Sequence, residues 1–119
     1  MNYVDGFVIP LPIANIDTYR EYATKVGKIW REHGALSIRE CIGDDVPMGE
    51  LTSFPRSVEL KEGETVVFSW VEYPSRAVRD QVIEKAMQDP RMQALMDNGA
   101  MPFDGKRMIY GGFETLFEL

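Results

Sequence analysis

The chain has 119 residues, of which 45% are apolar and 27% charged. That is enough for one packed core and too few residues for two, so a single domain over 1–119 is expected. Thirteen basic against nineteen acidic side chains give a net charge of −6, which speaks against partners that need a positive field, nucleic acid and anionic lipid among them. The longest apolar stretch, Phe7 to Ala14, is interrupted by Pro10 and Pro12 and falls far short of the roughly 20 residues of a membrane span. The N-terminus has no basic segment leading into an apolar run, so no secretory signal is expected. The lone Cys41 cannot form an internal disulfide, which fits a cytoplasmic location.

In chain order, Tyr3 to Pro10 alternates as a strand, and pairing is expected to stop at the prolines, which lack a donor. Asn15 or Asp17 is placed to cap a helix whose buried face carries Ile16, Tyr19, Ala23, Val26, Trp30 and His33 at steps of three and four. Gly34 is its natural terminator. Ala35 to Gly43 follows as a second strand, then a polar loop over Asp44 to Ser53. Arg56–Leu60 and Thr65–Tyr73 read as the two arms of a hairpin joined by Lys61-Glu62-Gly63-Glu64. Ser75 is the expected cap of a second long helix, and Asp89-Pro90 opens a short one that should stop at Asn98-Gly99. The last strand is expected from Lys106 to about Phe117. The resulting β-α-β-β-α-β order, with one added strand, predicts the ferredoxin-like α+β fold: an antiparallel sheet with its helices on one face.

A sheet covered on one side needs a partner for the other. Placing the slimmer residues (Val4, Gly6 and Val8; Val67, Ser69 and Val71) beneath the helices leaves Tyr3, Phe7, Phe68 and Trp70 on the open face, an apolar patch larger than a soluble monomer normally shows. The expectation is a homodimer whose two sheets enclose a shared barrel.

Four segments, Tyr3-Val4-Asp5-Gly6-Phe7-Val8, Val67-Phe68-Ser69-Trp70-Val71-Glu72-Tyr73-Pro74-Ser75, Asp89-Pro90-Arg91-Met92 and the stretch Met101 to Phe113, closely resemble the YbaA-like family, bacterial proteins classed as a domain of unknown function. The resemblance implies a dimeric α+β barrel, the superfold shared with small monooxygenases, ethyl tert-butyl ether degradation-type proteins and haem-degrading enzymes. It carries no activity across, because fold and chemistry separate freely in such superfolds.

Asp5, Trp70 and Glu72 form the most suggestive constellation. A carboxylate against an indole in a dry pocket loses hydration, and its charged form is disfavoured. Glu72 and Asp5 are therefore the catalytic candidates for cofactor-independent acid–base or oxygenase-like chemistry, set against ordinary ion pairing with Arg39, Arg79 or Arg107. Tyr3, Phe7, Phe68, Trp70, Tyr110 and Arg107 are the candidate ligand contacts. Arg107 and Tyr110 belong to opposite faces of their strand, so at most one should enter the barrel unless the Gly111-Gly112 pair bulges, and the second strand leaves Ser37/Arg39/Cys41 and Leu36/Ile38/Glu40 as alternatives. His33 is expected to meet a carbonyl at its helix end; no metal or cofactor is expected. Met87, Met92, Met96, Met101 and Met108 suggest core filling or a lid over the barrel mouth. Two readings result: a barrel that binds a small, partly apolar molecule between its sheets, and a non-catalytic interaction or scaffold module whose barrel is filled by its own side chains.

Overall fold

The computed structural model describes residues 1–97 and 101–119. Its elements are β1 (Tyr3–Pro12), a 3-10 turn (Ile13–Asn15), α1 (Ile16–His33), β2 (Ser37–Ile42), α2 (Phe54–Ser57), β3 (Glu64–Tyr73), α3 (Arg76–Gln88), α4 (Pro90–Asp97) and β4 (Ile109–Glu114). The strands form one antiparallel sheet in the order β2-β3-β1-β4. This is the expected α+β ferredoxin-like arrangement.

The local causes are legible in the termini. Gly34 ends α1 at φ 126°, a backbone that strongly favours glycine, while its N–H donates to the Arg31 carbonyl. The Ser75 hydroxyl accepts from the Val78 N–H and caps α3. Asn15 stands at the α1 cap position, but its amide donates to the Pro102 carbonyl at 2.9 Å instead of capping. The His33 ring meets the Asp89 carboxylate at 2.9 Å rather than a carbonyl, tying the end of α1 to the start of α4. The expected stop at Asn98-Gly99 lies outside the described residues.

Three expectations are corrected. Arg56–Leu60 is no strand: Ser53 accepts from the Arg56 N–H and Pro55 sits in the first turn of α2, a helix-start combination that outweighs the alternation. β1 runs through both prolines to Pro12, still paired with β3 down to Glu64. Its pairing with β4 ends at Val8, so beyond that point one edge of β1 needs no donors. β4 is shorter than expected, because residues 115–119 have no strand beside them.

The core lies between the sheet and α1, α3 and α4. One cluster joins Tyr3, Val71 and Tyr73 to Ala35 and Val82; another joins Ile9, Leu11 and Val67 to Tyr19 of α1. Ile29, Ala86 and Met92 weld the three helices together. The short helix α4 and the turn at Phe103, which packs on Tyr19 and Tyr22, thus belong to the helical layer. Of the two readings of the methionines, core filling holds for Met92, which is buried, and for Met108, which packs on the Ile9–Val67 cluster, and α4 and the Phe103 turn do not lie over the barrel mouth as a lid. On the open face the segment 46–60 reaches the sheet, where Val58 packs against Val8 and Val66. Among the described residues, no helix is long and apolar enough to cross a membrane.

Candidate functional site

Directly paired residues of an antiparallel sheet share a face, so the register decides what the open side carries. Val4, Gly6 and Val8 of β1 stand opposite Glu72, Trp70 and Phe68 of β3. The same three residues stand opposite Phe113, Gly111 and Ile109 of β4, while Arg39 and Cys41 of β2 stand opposite Trp70 and Phe68. The open face is built from these residues. For β3 the orientation is the expected one. For β2 the undecided choice resolves to Ser37, Arg39 and Cys41.

For β1 the orientation is the reverse of the expected one. Tyr3 and Asp5 are buried at 7% and 5% exposure beneath the helices, and Phe7 packs with them on that side, only bordering the open face. The physical reason is a set of polar partners that side-chain bulk alone does not disclose. Arg79 of α3 donates to the Asp5 carboxylate at 3.1 Å and to the Tyr3 hydroxyl at 3.3 Å, and its guanidinium lies over the Tyr3 ring at 4.9 Å. Burial raises the Asp5 pKa, opposed by a hydrogen bond from Tyr73 and by the Arg79 charge. Asp5 is therefore a member of a buried polar network and lies across the sheet from Trp70 and Glu72.

Arg107 also leaves the candidate set. It precedes β4 and forms a two-pronged pair with Glu64 at 2.8 and 2.7 Å, while reaching Asp104 and the Val58 and Glu59 carbonyls. It anchors the segment after α2 to the start of β4. Tyr110 pairs with Phe7 in register and stacks on its ring at 6.3 Å, on the helical side of the sheet edge.

What remains on the open face is a continuous aromatic row. The Arg39 guanidinium lies 5.8 Å from the Trp70 ring centre. Trp70 is 5.6 Å from Phe68, and Phe68 is 5.6 Å from Phe54. At the other edge the Phe113 ring lies over the Gly6–Gly111 pair, where a β-carbon on either glycine would be 3.6 Å from it. Between these rims is an apolar hollow of about 630 Å³, within the size range of small-molecule sites. Its carboxylate is Glu72, held by the Asn2 amide at 3.3 Å. Of the predicted residues, then, Phe68, Trp70 and Glu72 come together in the hollow, Phe7 and Tyr110 stack on each other at its border, and Tyr3, Asp5 and Arg107 lie elsewhere. Sequence reasoning missed Phe113 and Ile109 as members and left Arg39 open as one of two alternatives. The signal for Phe113 was its glycine neighbourhood, since Gly6 and Gly111 face one another across two strands. Among the described residues no cluster of side chains is suited to a metal ion.

Fold and site together define a ferredoxin-like α+β protein with an apolar, aromatic-lined open sheet face. The chain belongs to the family described as a protein of unknown function, DUF1428, whose model matches residues 2–105. It is 52% identical to the uncharacterized protein YbaA of Escherichia coli K12 over 118 residues, 99% of each chain. Among solved structures it is similar to Rv0793 from Mycobacterium tuberculosis, with a TM-score of 0.58 and 13% identity over 99% of this chain and 98% of that one. It is also similar to a dimeric ferredoxin-like protein from an uncultured marine organism, with a TM-score of 0.56 and 14% identity over the full length of both. At such identities the likeness is one of fold.

Proposed function

We propose that two copies of this chain join through their open sheet faces and that the hollow thereby enclosed binds a small, partly apolar molecule. The observation that carries this reading is the 630 Å³ hollow itself, rimmed by large rings that a lone protomer leaves in water: Phe113 is 62% exposed and Phe68 43%. Burying rings of this size is strongly favourable, at about 25 cal/mol per Å² of apolar surface. The dimeric state of the marine relative of the same fold supports the same arrangement. Within the hollow, Phe68, Trp70 and Phe113 would contact the ligand's apolar part, Arg39 an anionic or π-rich edge, and Glu72 a donor. Any acid–base step would then fall to Glu72, with Asp5 excluded by its burial beneath the helices. Against the scaffold reading, in which the space is filled by the protein's own side chains, stands the room that remains beside the Phe113 ring after it covers the Gly6–Gly111 pair.

Sedimentation equilibrium and a thermal-shift screen of small aromatic acids test the two halves. The expected result is a mass of twice 13.6 kDa, together with a raised melting temperature for a ligand that binds the folded state. A single-chain mass at micromolar concentration overturns the reading.

A further inference from the structure

On the other side of the sheet, α1 and the edge strand β2 diverge and leave a groove of about 740 Å³. Its floor is apolar, formed by Leu11, Ile38 and Val67, with Ala23 and Gly27 of α1 as its wall. Gly27 sits in the interior of an 18-residue helix, where glycine costs about 1 kcal/mol relative to alanine. Packing does not demand it, because a β-carbon there would make an ordinary 3.4 Å contact with the Ile38 side chain. A larger side chain at this position would intrude on the groove.

Two chemistries meet along that floor. At one end the Tyr19 hydroxyl, on a residue 8% exposed, donates to the Glu40 carboxylate, which also takes a hydrogen bond from Ser69. Burial of the carboxyl raises the Glu40 pKa, the hydrogen bonds working against it. A carboxylate so placed has lone pairs left for a further donor. Along the rim stand Arg20, Lys28 and Arg31, all exposed. Arg20 is paired with Asp17 at 2.8 Å, whereas Lys28 makes no ion pair among the described residues, Arg31 donates to the neutral Leu36 carbonyl at 2.7 Å, and the neighbouring Glu32 is engaged by Arg91 at 2.5 Å. The end of the groove at Lys28 and Arg31 thus offers cations not taken up by an acid, in a chain whose net charge is −6.

We propose that this groove is a binding site for a small aromatic carboxylic acid bearing a hydroxyl group at the end remote from the carboxylate. The ring lies on Leu11, Ile38 and Val67, the hydroxyl donates to Glu40, and the carboxylate meets Lys28 and Arg31. The site is contained within one protomer and is independent of the dimer hollow.

The probe is 4-hydroxyphenylacetate, titrated by calorimetry and by amide chemical shifts, with phenylacetate and 2-(4-hydroxyphenyl)ethanol as analogues lacking one group each. The expected result is saturable binding with shifts along α1 and β2. Each analogue should bind roughly tenfold or more weakly, the size of effect for a lost hydrogen bond to a charged group. The variant K28E should weaken the acid and spare the alcohol. Gly27→Leu, which occupies the groove and favours the helix, should abolish binding while the protein keeps its melting profile. Phe113→Asp on the opposite face should leave the affinity unchanged whether or not the dimer persists. Absence of saturable binding at low-millimolar probe overturns the proposal, as does binding that survives Gly27→Leu or shifts centred on Trp70 and Phe113.

Discussion

The Tyr3 ring lies directly over Gly112: a β-carbon on that glycine would stand 2.3 Å from the Tyr3 hydroxyl oxygen and under 3 Å from two ring carbons. The glycine of β4 is thus the condition for a tyrosine of β1 to turn beneath the helices, where Arg79 receives it. Gly112→Ala should therefore destabilise the fold by about 1–3 kcal/mol, the usual cost of overpacking a tight contact. The same change in a Tyr3→Val background should cost much less. Denaturant titration of the four proteins of this cycle measures the coupling, and additive effects would contradict the contact.

Asp5 and Arg79 form a pair whose side chains are only 7% and 18% exposed. Removing one member leaves the other charge buried. Asp5→Ala should accordingly cost about 3 kcal/mol, the low end of the range for a broken buried pair, since Asp80 remains 2.9 Å from the same guanidinium. Asp5→Leu combined with Arg79→Leu should recover much of the loss. A fully stable Asp5→Ala protein would show that the network is dispensable.

These two relationships also explain what the sequence does and does not disclose. The order of elements is readable because helix starts and stops carry their own chemistry, as at Ser75 and Gly34. The orientation of β3 is readable because Val67 and Val71 alternate with Phe68 and Trp70, and bulk there coincides with exposure. In β1 bulk and exposure part company. Tyr3 and Asp5 go inside because Arg79, distant by more than seventy residues, meets their polar atoms and because Gly112 clears the space. Neither partner is adjacent in sequence, so periodicity alone points the strand the wrong way. Arg107 is a similar case, since its charge suits a ligand but is already taken by Glu64 and Asp104.

The Glu64–Arg107 pair gives a pH-dependent expectation with a definite sign. Its hydrogen bonds from Arg107 hold the Glu64 pKa below its ordinary 4.5. A carboxylate whose folded pKa is lowered contributes stability above its unfolded value, and that contribution is lost as pH falls through the folded one. Glu64→Gln should lower the denaturation midpoint at neutral pH, and the gap to the wild type should close as acid titrates the carboxylate. A gap that stays constant down to pH 2 would mean that the charge plays no part. The same guanidinium holds the Val58 and Glu59 carbonyls, with Glu59 in a left-handed backbone at φ 48°. Arg107→Ala should therefore also increase amide exchange across residues 56–60.

Two neighbours on β4 separate the dimer reading from a general effect of surface charge. Phe113 and Tyr110 are 62% and 73% exposed, but the register turns Phe113 to the open face with Val4 and Tyr110 to the helical side with Phe7. A carboxylate placed at an apolar interface loses its hydration with no partner to compensate. In solvent it costs little. Phe113→Asp should thus reduce the sedimentation mass from twice 13.6 kDa to the single-chain value, and Phe68→Asp should act likewise. Tyr110→Asp should leave the mass unchanged, because its ring stacks on Phe7 on the helical side and only borders the hollow. If Tyr110→Asp dissociates the protein and Phe113→Asp does not, the copies meet along the helical side of the β4 edge, and the hollow faces solvent rather than a second sheet.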